Sequence, residues 1–239
     1  MPDQRTHRGP HPKDARLFAP EIRAELSESV DDLCWLLSRG YAPDSSLKLV
    51  GDRHGLVARQ RIAVARSSCS KNDADRRRMH EVPSNAVYNR PLELDGYNVL
   101  TTIEASLSGG VILAARDGAY RDMASMHGSY RKVSETLPAL ELLGAELARL
   151  NIAECIWYLD RPVSNSGRLK TLMDELAAKK GWPWRIELVP NPDKLLAESS
   201  EIVATADSVI LDRCSSWYNL ARTIVTRHVR QAWIIDLCL

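Results

Sequence analysis

Three apolar runs in this sequence end in an aspartate: Leu92-Glu93-Leu94 leads to Asp95, Cys155 to Leu159 leads to Asp160, and Glu201 to Thr205 leads through Ala206 to Asp207. An acid at the carboxyl end of a strand stands where open α/β folds bind ligands. Parallel strands present these ends on one edge, so the three side chains can converge although they lie far apart in the chain. Converging carboxylates repel one another and need a cation. Hard oxygen donors with no His or Cys nearby suit Mg²⁺ or Mn²⁺. One or two such ions activate a water and clamp the attacking and leaving oxygens of a phosphodiester. The plainer alternative is that each Asp caps a helix or shapes a turn, as Asp commonly does. Three in succession point to a site, with Asp95, Asp160 and Asp207 as metal ligands.

The flanking residues extend this set. Asn98 can orient a water, bond an Asp95 oxygen or cap the helix that follows. Glu104, Asp117 and Asp212 are candidates for a further acid, although Glu104 also reads as a surface residue and Asp117-Gly118 as a plain turn, whereas Asp122, between Arg121 and Met123, reads as solvated. Asp160-Arg161-Pro162-Val163-Ser164-Asn165-Ser166-Gly167 places small polar residues at a helix start, where free amides suit a phosphate. Ser164, Asn165, Ser166 and Arg168 are the candidate phosphate contacts, and capping by Ser164 or Ser166 is expected in any case. The loop lacks the glycine spacing and Lys-Ser/Thr ending of a Walker loop, and no GxGxxG follows a strand. No GxSxG elbow occurs. His127, with Arg121, Arg131 and Lys132, reads either as a surface-loop His or as part of a substrate-contacting loop.

These residues must be positioned by alternating elements. From about Pro83, strand-like runs (92–94, 111–115, 155–159, 185–189, 201–205, 233–235) are separated by helical patterns (97–107, 138–150, 164–180, 217–225). Residues 120–133 read as irregular, and Asn191-Pro192 as a turn. This alternation implies βαβ units and a mostly parallel sheet. Upstream, residues 1–19 lack apolar periodicity and read as a loose arm. Residues 20–81 read as a small all-α segment. Val30, Leu33, Cys34 and Leu37 give its first helix an apolar stripe. Pro43 opens a second helix, broken at Gly51 and Gly55. In a third, over 57–68, Ile62 and Ala65 face inward and Arg59 and Arg66 outward.

Charge is distributed unevenly. Net charge is +1, yet residues 44–80 hold nine Lys/Arg against four Asp/Glu, while 82–239 hold 17 against 19. The helical segment is therefore either a phosphate-contacting module, a helix-turn-helix being one such arrangement, or a helical cap with a solvated basic face. Arg53, Arg59, Arg66, Arg76 and Arg77 are its candidate nucleic-acid contacts. Hydrophobic content of 44% and charged content of 26% are those of an ordinary globular chain. Five Cys without a CxxC pair suggest reduced thiols in a cytoplasmic protein. No apolar run approaches a membrane span.

Asp95-Gly96-Tyr97-Asn98-Val99 resembles the opening of PIN-like nuclease domains of the NYN branch, whose first strand ends in an acid followed by a Gly-x-Asn turn. Thr205-Ala206-Asp207 is similar to the Ser/Thr-x-Asp that ends a later strand there, and Asp160 would be the middle carboxylate. The likeness covers roughly residues 90–239. It implies a Rossmann-like, three-layer αβα fold, a divalent-metal site and RNA cleavage, with Asp95, Asn98, Asp160 and Asp207 carrying the chemistry. The helix-borne acid of that superfamily has no clear counterpart. The whole chain also resembles a prokaryotic family of proteins of unknown function. That likeness rests on Arg39-Gly40-Tyr41, Leu49-Val50-Gly51-Asp52-Arg53, Arg59-Gln60-Arg61 and Pro162 to Gly167. The resulting expectation is a metal-dependent ribonuclease preceded by a basic helical domain. A non-catalytic RNA- or nucleotide-binding module and a small-molecule phosphoesterase are the alternatives.

Overall fold

A computed structural model describes residues 8–124 and 128–238; His127 lies outside them. The helical part comprises α1 (Asp14–Leu17), a 3₁₀ turn (Pro20–Ile22), α2 (Arg23–Ser38), α3 (Pro43–Arg53), α4 (Ala58–Ser67) and α5 (Lys71–His80). Then follow β1 (Pro91–Asp95), α6 (Gly96–Leu107), β2 (Val111–Ala114), β3 (Tyr120–Asp122) and α7 (Thr136–Arg149). The chain continues through β4 (Glu154–Asp160), α8 (Ser166–Lys180), β5 (Trp184–Val189), α9 (Pro192–Ala197), β6 (Ile202–Ala204), α10 (Ser208–Leu211), α11 (Leu220–His228) and β7 (Trp233–Asp236).

The strands form two sheets where the alternation suggested one. A four-stranded, wholly parallel sheet has the order β5-β4-β1-β6, and a three-stranded sheet has the order β3-β2-β7. In the smaller sheet β2 runs parallel to β7 and antiparallel to β3, which forms within the segment expected to be irregular. Strand alternation explains the layering of the larger sheet. Leu92 and Leu94 of β1, Trp157 and Leu159 of β4 and Ile186 of β5 turn to one face, packed with residues of α6, α7, α8 and α11. Val203 of β6 and Tyr158 of β4 turn to the other, with Leu196 of α9, Ile210 and Leu211 of α10 and Trp217.

Helix α6 runs between the two sheets, and ten of its twelve residues are buried. A helix buried nearly all round is an internal element, not an amphipathic surface one.

The helical part shares a core with the smaller sheet. Leu26, Val30 and Leu33 of α2 and Ala63 and Val64 of α4 pack with Val111, Leu113, Ile235 and Leu237. Residues 8–19, expected as a loose arm, belong to this body: Phe18 is fully buried, and buried Asp14 is gripped by Arg59 of α4. Forming that ion pair turns Arg59 inward and rotates α4, so that Ala63, Val64 and Ser67 are buried while Ile62 and Ala65 are exposed. Gly51 lies inside α3 and does not break it. No helix among the described residues is long and apolar enough to cross a membrane.

Candidate functional site

β1 delivers Asp95 to the carboxyl edge of the four-stranded sheet, and α6 begins at the next residue. Gly96 makes this start possible. A Cβ there would meet Leu159 Cδ2 at 2.6 Å and the Tyr158 carbonyl oxygen at 2.8 Å, so any side chain would push α6 off β4. Asp95 caps α6, its Oδ1 accepting the Asn98 amide at 3.4 Å. Its Oδ2 accepts the Thr205 hydroxyl at 2.8 Å, and Thr205 Oγ1 accepts the Asp207 amide at 3.0 Å. Asn98 bonds an Asp95 oxygen through its backbone amide only, and its side chain does not cap α6. Its side-chain oxygen accepts the Ala206 amide at 3.0 Å, tying the start of α6 to the loop after β6. Asp207 caps α10, accepting the amides of Val209 (2.7 Å) and Ile210 (3.4 Å).

Asp95, Asp207 and Asp193 line one cleft of about 500 Å³, together with Asn98, Thr101, Thr102, Asp122 and Arg121. Arg66, Ser68 and Arg77 of the helical part also line it. Burial, with the negative charges of Asp207 and Asp193 added, pushes the Asp95 carboxyl up to about 7 against the weaker pull of Thr205 and the Asn98 amide. Burial and Asp207 push Asp193 up, and burial and Asp193 push Asp160 up. Among the described residues no Lys, Arg or His pairs with any of these four carboxylates.

Asp193 is the residue that sequence reasoning passed over. Asn191-Pro192 does not merely turn the chain; Asn191 caps α9 by accepting the Lys194 amide at 3.0 Å, and Asp193 sits in the first helical turn. The available signal was an acid shortly after the strand ending at Val189. Asp160 is placed differently from Asp95 and Asp207: it feels Asp193 but does not line the cleft. The trio Asp95, Asp160 and Asp207 therefore makes no three-carboxylate cage, and among the described residues no three His, Cys, Asp or Glu are grouped to hold a metal ion. The donor chemistry still suits Mg²⁺ or Mn²⁺ in a sparser form. Mg²⁺ is commonly held by one or two carboxylates, with waters and substrate phosphates completing its shell, and Asp95 and Asp207 can supply that pair.

The three candidates for a further acid are engaged elsewhere. Glu104 is fully buried; its Oε1 accepts the Tyr130 and Thr136 hydroxyls, both at 2.5 Å, and its Oε2 pairs with Arg8. Asp117 is buried between Arg77 (2.7 Å) and both terminal nitrogens of Arg121 (2.9 and 2.7 Å). Burial opposes its ionisation, but the charges of Arg121 and Arg77 hold it down to about 2. Asp212 accepts from Arg76 (2.7 Å) and Arg77 (2.8 Å). Asp122, expected in solvent, is instead buried in the cleft wall, accepting from Thr102 (3.0 Å), Thr101 (3.3 Å) and the Ala124 amide (2.7 Å).

The expected phosphate contacts and nucleic-acid contacts are also accounted for. Backbone bonds pair Ser164 with residues 128–130, and Asn165 donates to the Tyr130 carbonyl at 3.0 Å. Asn165, in the left-handed region at φ 70°, precedes α8, whose N-terminus carries no side-chain cap from either serine. Arg168 is exposed, and none of these four residues lines the cleft. Arg53 lies 3.5 Å from Asp32, Arg59 is paired with Asp14, and Arg76 bridges Asp73 and Asp212. Arg77 is buried, and Arg66 donates to the carbonyls of Asp122 and Ala124 at the cleft. The local basic excess is thus largely spent on carboxylates and carbonyls within the fold.

Residues 84–223 match the family described as Domain of unknown function (DUF5616), and residues 25–80 match Protein of unknown function (DUF434). The chain is 30% identical over 186 residues to the uncharacterized protein MJ0935 of Methanocaldococcus jannaschii, over 78% of this chain and 88% of that protein. No solved structure matches. The chain belongs to the DUF5616 family, with a DUF434 segment ahead of it.

Proposed function

We propose that this member of the DUF5616 family is a divalent-metal-dependent phosphodiesterase, with RNA as its substrate. One observation carries the reading. Asp95, Asp193 and Asp207 face one cleft without a cationic partner among the described residues, and burial together with their mutual repulsion lifts Asp95 to about 7. Side chains that only capped helices would not need to share one cleft.

Topology supports the same place. From β1 the chain builds β4 and β5 outward on one side, then returns to β6 on the other side of β1. Ligands in open parallel sheets bind in the crevice where this direction reverses, and Asp95 and Asp207 flank it. A PIN-like, three-layer αβα reading accommodates this sheet, its two helical faces and the acids after β1 and β6. The assignment of RNA rests on the likeness of Asp95 to Val99 and Thr205 to Asp207 to the NYN branch.

In this reading Asp95 and Asp207 hold the ion, which when bound would acidify a water and neutralise charge developing on the phosphoryl oxygens. Asn98 and Thr205 fix the spacing of the two carboxylates through the Ala206 amide and the Asp95 Oδ2 contact. Asp193, its proton affinity raised by burial and Asp207, takes the proton of the attacking water. Arg66 lines the cleft, where a substrate phosphate would approach.

The test is cleavage of a labelled single-stranded RNA with and without Mn²⁺. The chain should cleave only with metal. Asp95→Asn and Asp207→Asn should lose activity by about a thousandfold, the scale of losing a preorganised electrostatic group, and Asp160→Asn should keep most of it. Full activity in Asp95→Asn would sink the assignment. A non-catalytic RNA- or nucleotide-binding module is the second reading. It is favoured by the capping bonds of Asp95 and Asp207 and by the lack of a three-ligand group among the described residues. Calorimetric titration with Mn²⁺ separates the two, since that module binds no ion tightly.

A further inference from the structure

We infer that Arg77 and Arg121 are positioning residues that clamp the backbone on both sides of Asp207, so that the helical part acts on the cleft by holding one of its acids. This rests on the reading of Asp207 as a functional carboxylate. The contacts are specific. Arg121 Nε donates to the Ala206 carbonyl at 2.8 Å, just before Asp207, and Arg77 Nη2 donates to the Ser208 carbonyl at 3.4 Å, just after it. The two guanidinium groups share Asp117, which binds both terminal nitrogens of Arg121 and one of Arg77. Arg77 Nε reaches Asp212 at 2.8 Å, at the far end of α10.

The clamp spans three parts of the chain. Arg77 comes from α5, Asp117 and Arg121 from the β2–β3 hairpin, and the held loop follows β6. Further bonds fix α5 to this region: Trp217 Nε1 donates to the Arg77 carbonyl at 2.6 Å, and the Trp217 amide to the His80 carbonyl at 2.9 Å. The planar, forked guanidinium can hold a carboxylate with two nitrogens and a carbonyl with a third; an ammonium cannot. Both arginines line the cleft, so a substrate-phosphate role is the natural competitor. Their donors are already directed at Asp117, Asp212 and backbone oxygens, which argues for holding over substrate contact.

The decisive variants are Arg121→Lys and Arg77→Lys, which keep the charge beside Asp117 and lose the fork. Two readouts are paired. Hydrogen exchange at the amides of Asp207, Val209 and Ile210 should quicken on the order of tenfold or more, the size expected from losing one charge-assisted hydrogen bond. Exchange in β4 and α7 should be unchanged. In the cleavage assay kcat should fall and the Mn²⁺ concentration for half-maximal rate should rise, while the KM for RNA and its salt dependence stay as in the parent chain. A raised KM with a shallower salt dependence and unchanged exchange would assign the arginines to substrate phosphate and overturn the proposal. Uniformly faster exchange would reduce them to general stabilisers and overturn it too. Should the parent chain cleave nothing, the functional reading fails separately, and local exchange alone still decides whether Asp207 is clamped.

Discussion

Replacing Asp95 by Asn should stabilise the protein, and by an amount that grows with pH. A carboxyl group of ordinary value near 3.8 in the unfolded chain is raised to about 7 by burial and by Asp207 and Asp193. The folded state therefore binds the proton more tightly than the unfolded state does. Between those two values the native protein holds more protons, so stability falls as pH rises. The favourable contribution is complete below about pH 4 and is lost as pH passes through 7. At about 1.4 kcal/mol per pH unit, the interval from 3.8 to about 7 sets a ceiling of roughly 4 kcal/mol. The amide of the Asp95→Asn variant carries no charge at any pH, and its oxygen can still accept the Thr205 hydroxyl. Denaturant unfolding of both proteins from about pH 4 to about pH 8.5 measures this directly. The stability advantage of Asp95→Asn should be small at the acid end and largest above neutrality. A difference that stays flat across that range would refute the reasoning. Millimolar Mn²⁺ adds a second arm: a ligand that binds only the folded state stabilises it by mass action. The ion should narrow the gap at the alkaline end by stabilising the parent chain and should leave Asp95→Asn unmoved.

Three further outcomes follow from buried contacts. Gly96→Ala places a methyl 2.6 Å from Leu159 Cδ2 and 2.8 Å from the Tyr158 carbonyl, and should cost about 1–3 kcal/mol by overpacking, read by denaturant midpoint at unchanged slope. Arg59→Ala strands the buried Asp14 carboxylate; it should cost about 3 kcal/mol, with the double variant Asp14→Ala/Arg59→Ala costing less, and should not alter RNA affinity in a binding titration. Asp117, held near 2 despite its burial by Arg121 and Arg77, contributes stability that is present above about pH 4 and is lost as pH falls toward 2. Asp117→Asn should flatten that part of the acid-denaturation curve while destabilising the protein at neutral pH, where both arginines lose the Asp117 carboxylate.

The sequence by itself determined most of the strands and helices, though not β3 or α9, and two corners of the cleft. Strand alternation in Leu92 to Leu94 and Cys155 to Leu159, and the apolar stripes of the helices, are local patterns with fixed periods, so they place residues on elements without knowledge of partners. The same locality exposed Asp95 and Asp207, because each stands at the end of an apolar run. What the pattern could not supply was which elements meet. Separating β2, β3 and β7 into a second sheet depends on long-range pairing, and so does the exchange of Asp160 for Asp193 beside Asp95 and Asp207 in the cleft. The fate of the charges was the least legible feature. Asp122 looked solvated and is buried; Glu104, Asp117 and Asp212 looked available and are paired; the arginines of the helical part looked free and mostly hold carboxylates. A side chain's charge is a property of its type, but whether it faces water, a counter-ion or another carboxylate is decided by neighbours that only tertiary packing brings within a few ångströms. For this chain the sequence determined where acids would stand along the sheet edge, and the tertiary structure decided which of them have no cationic partner among the described residues.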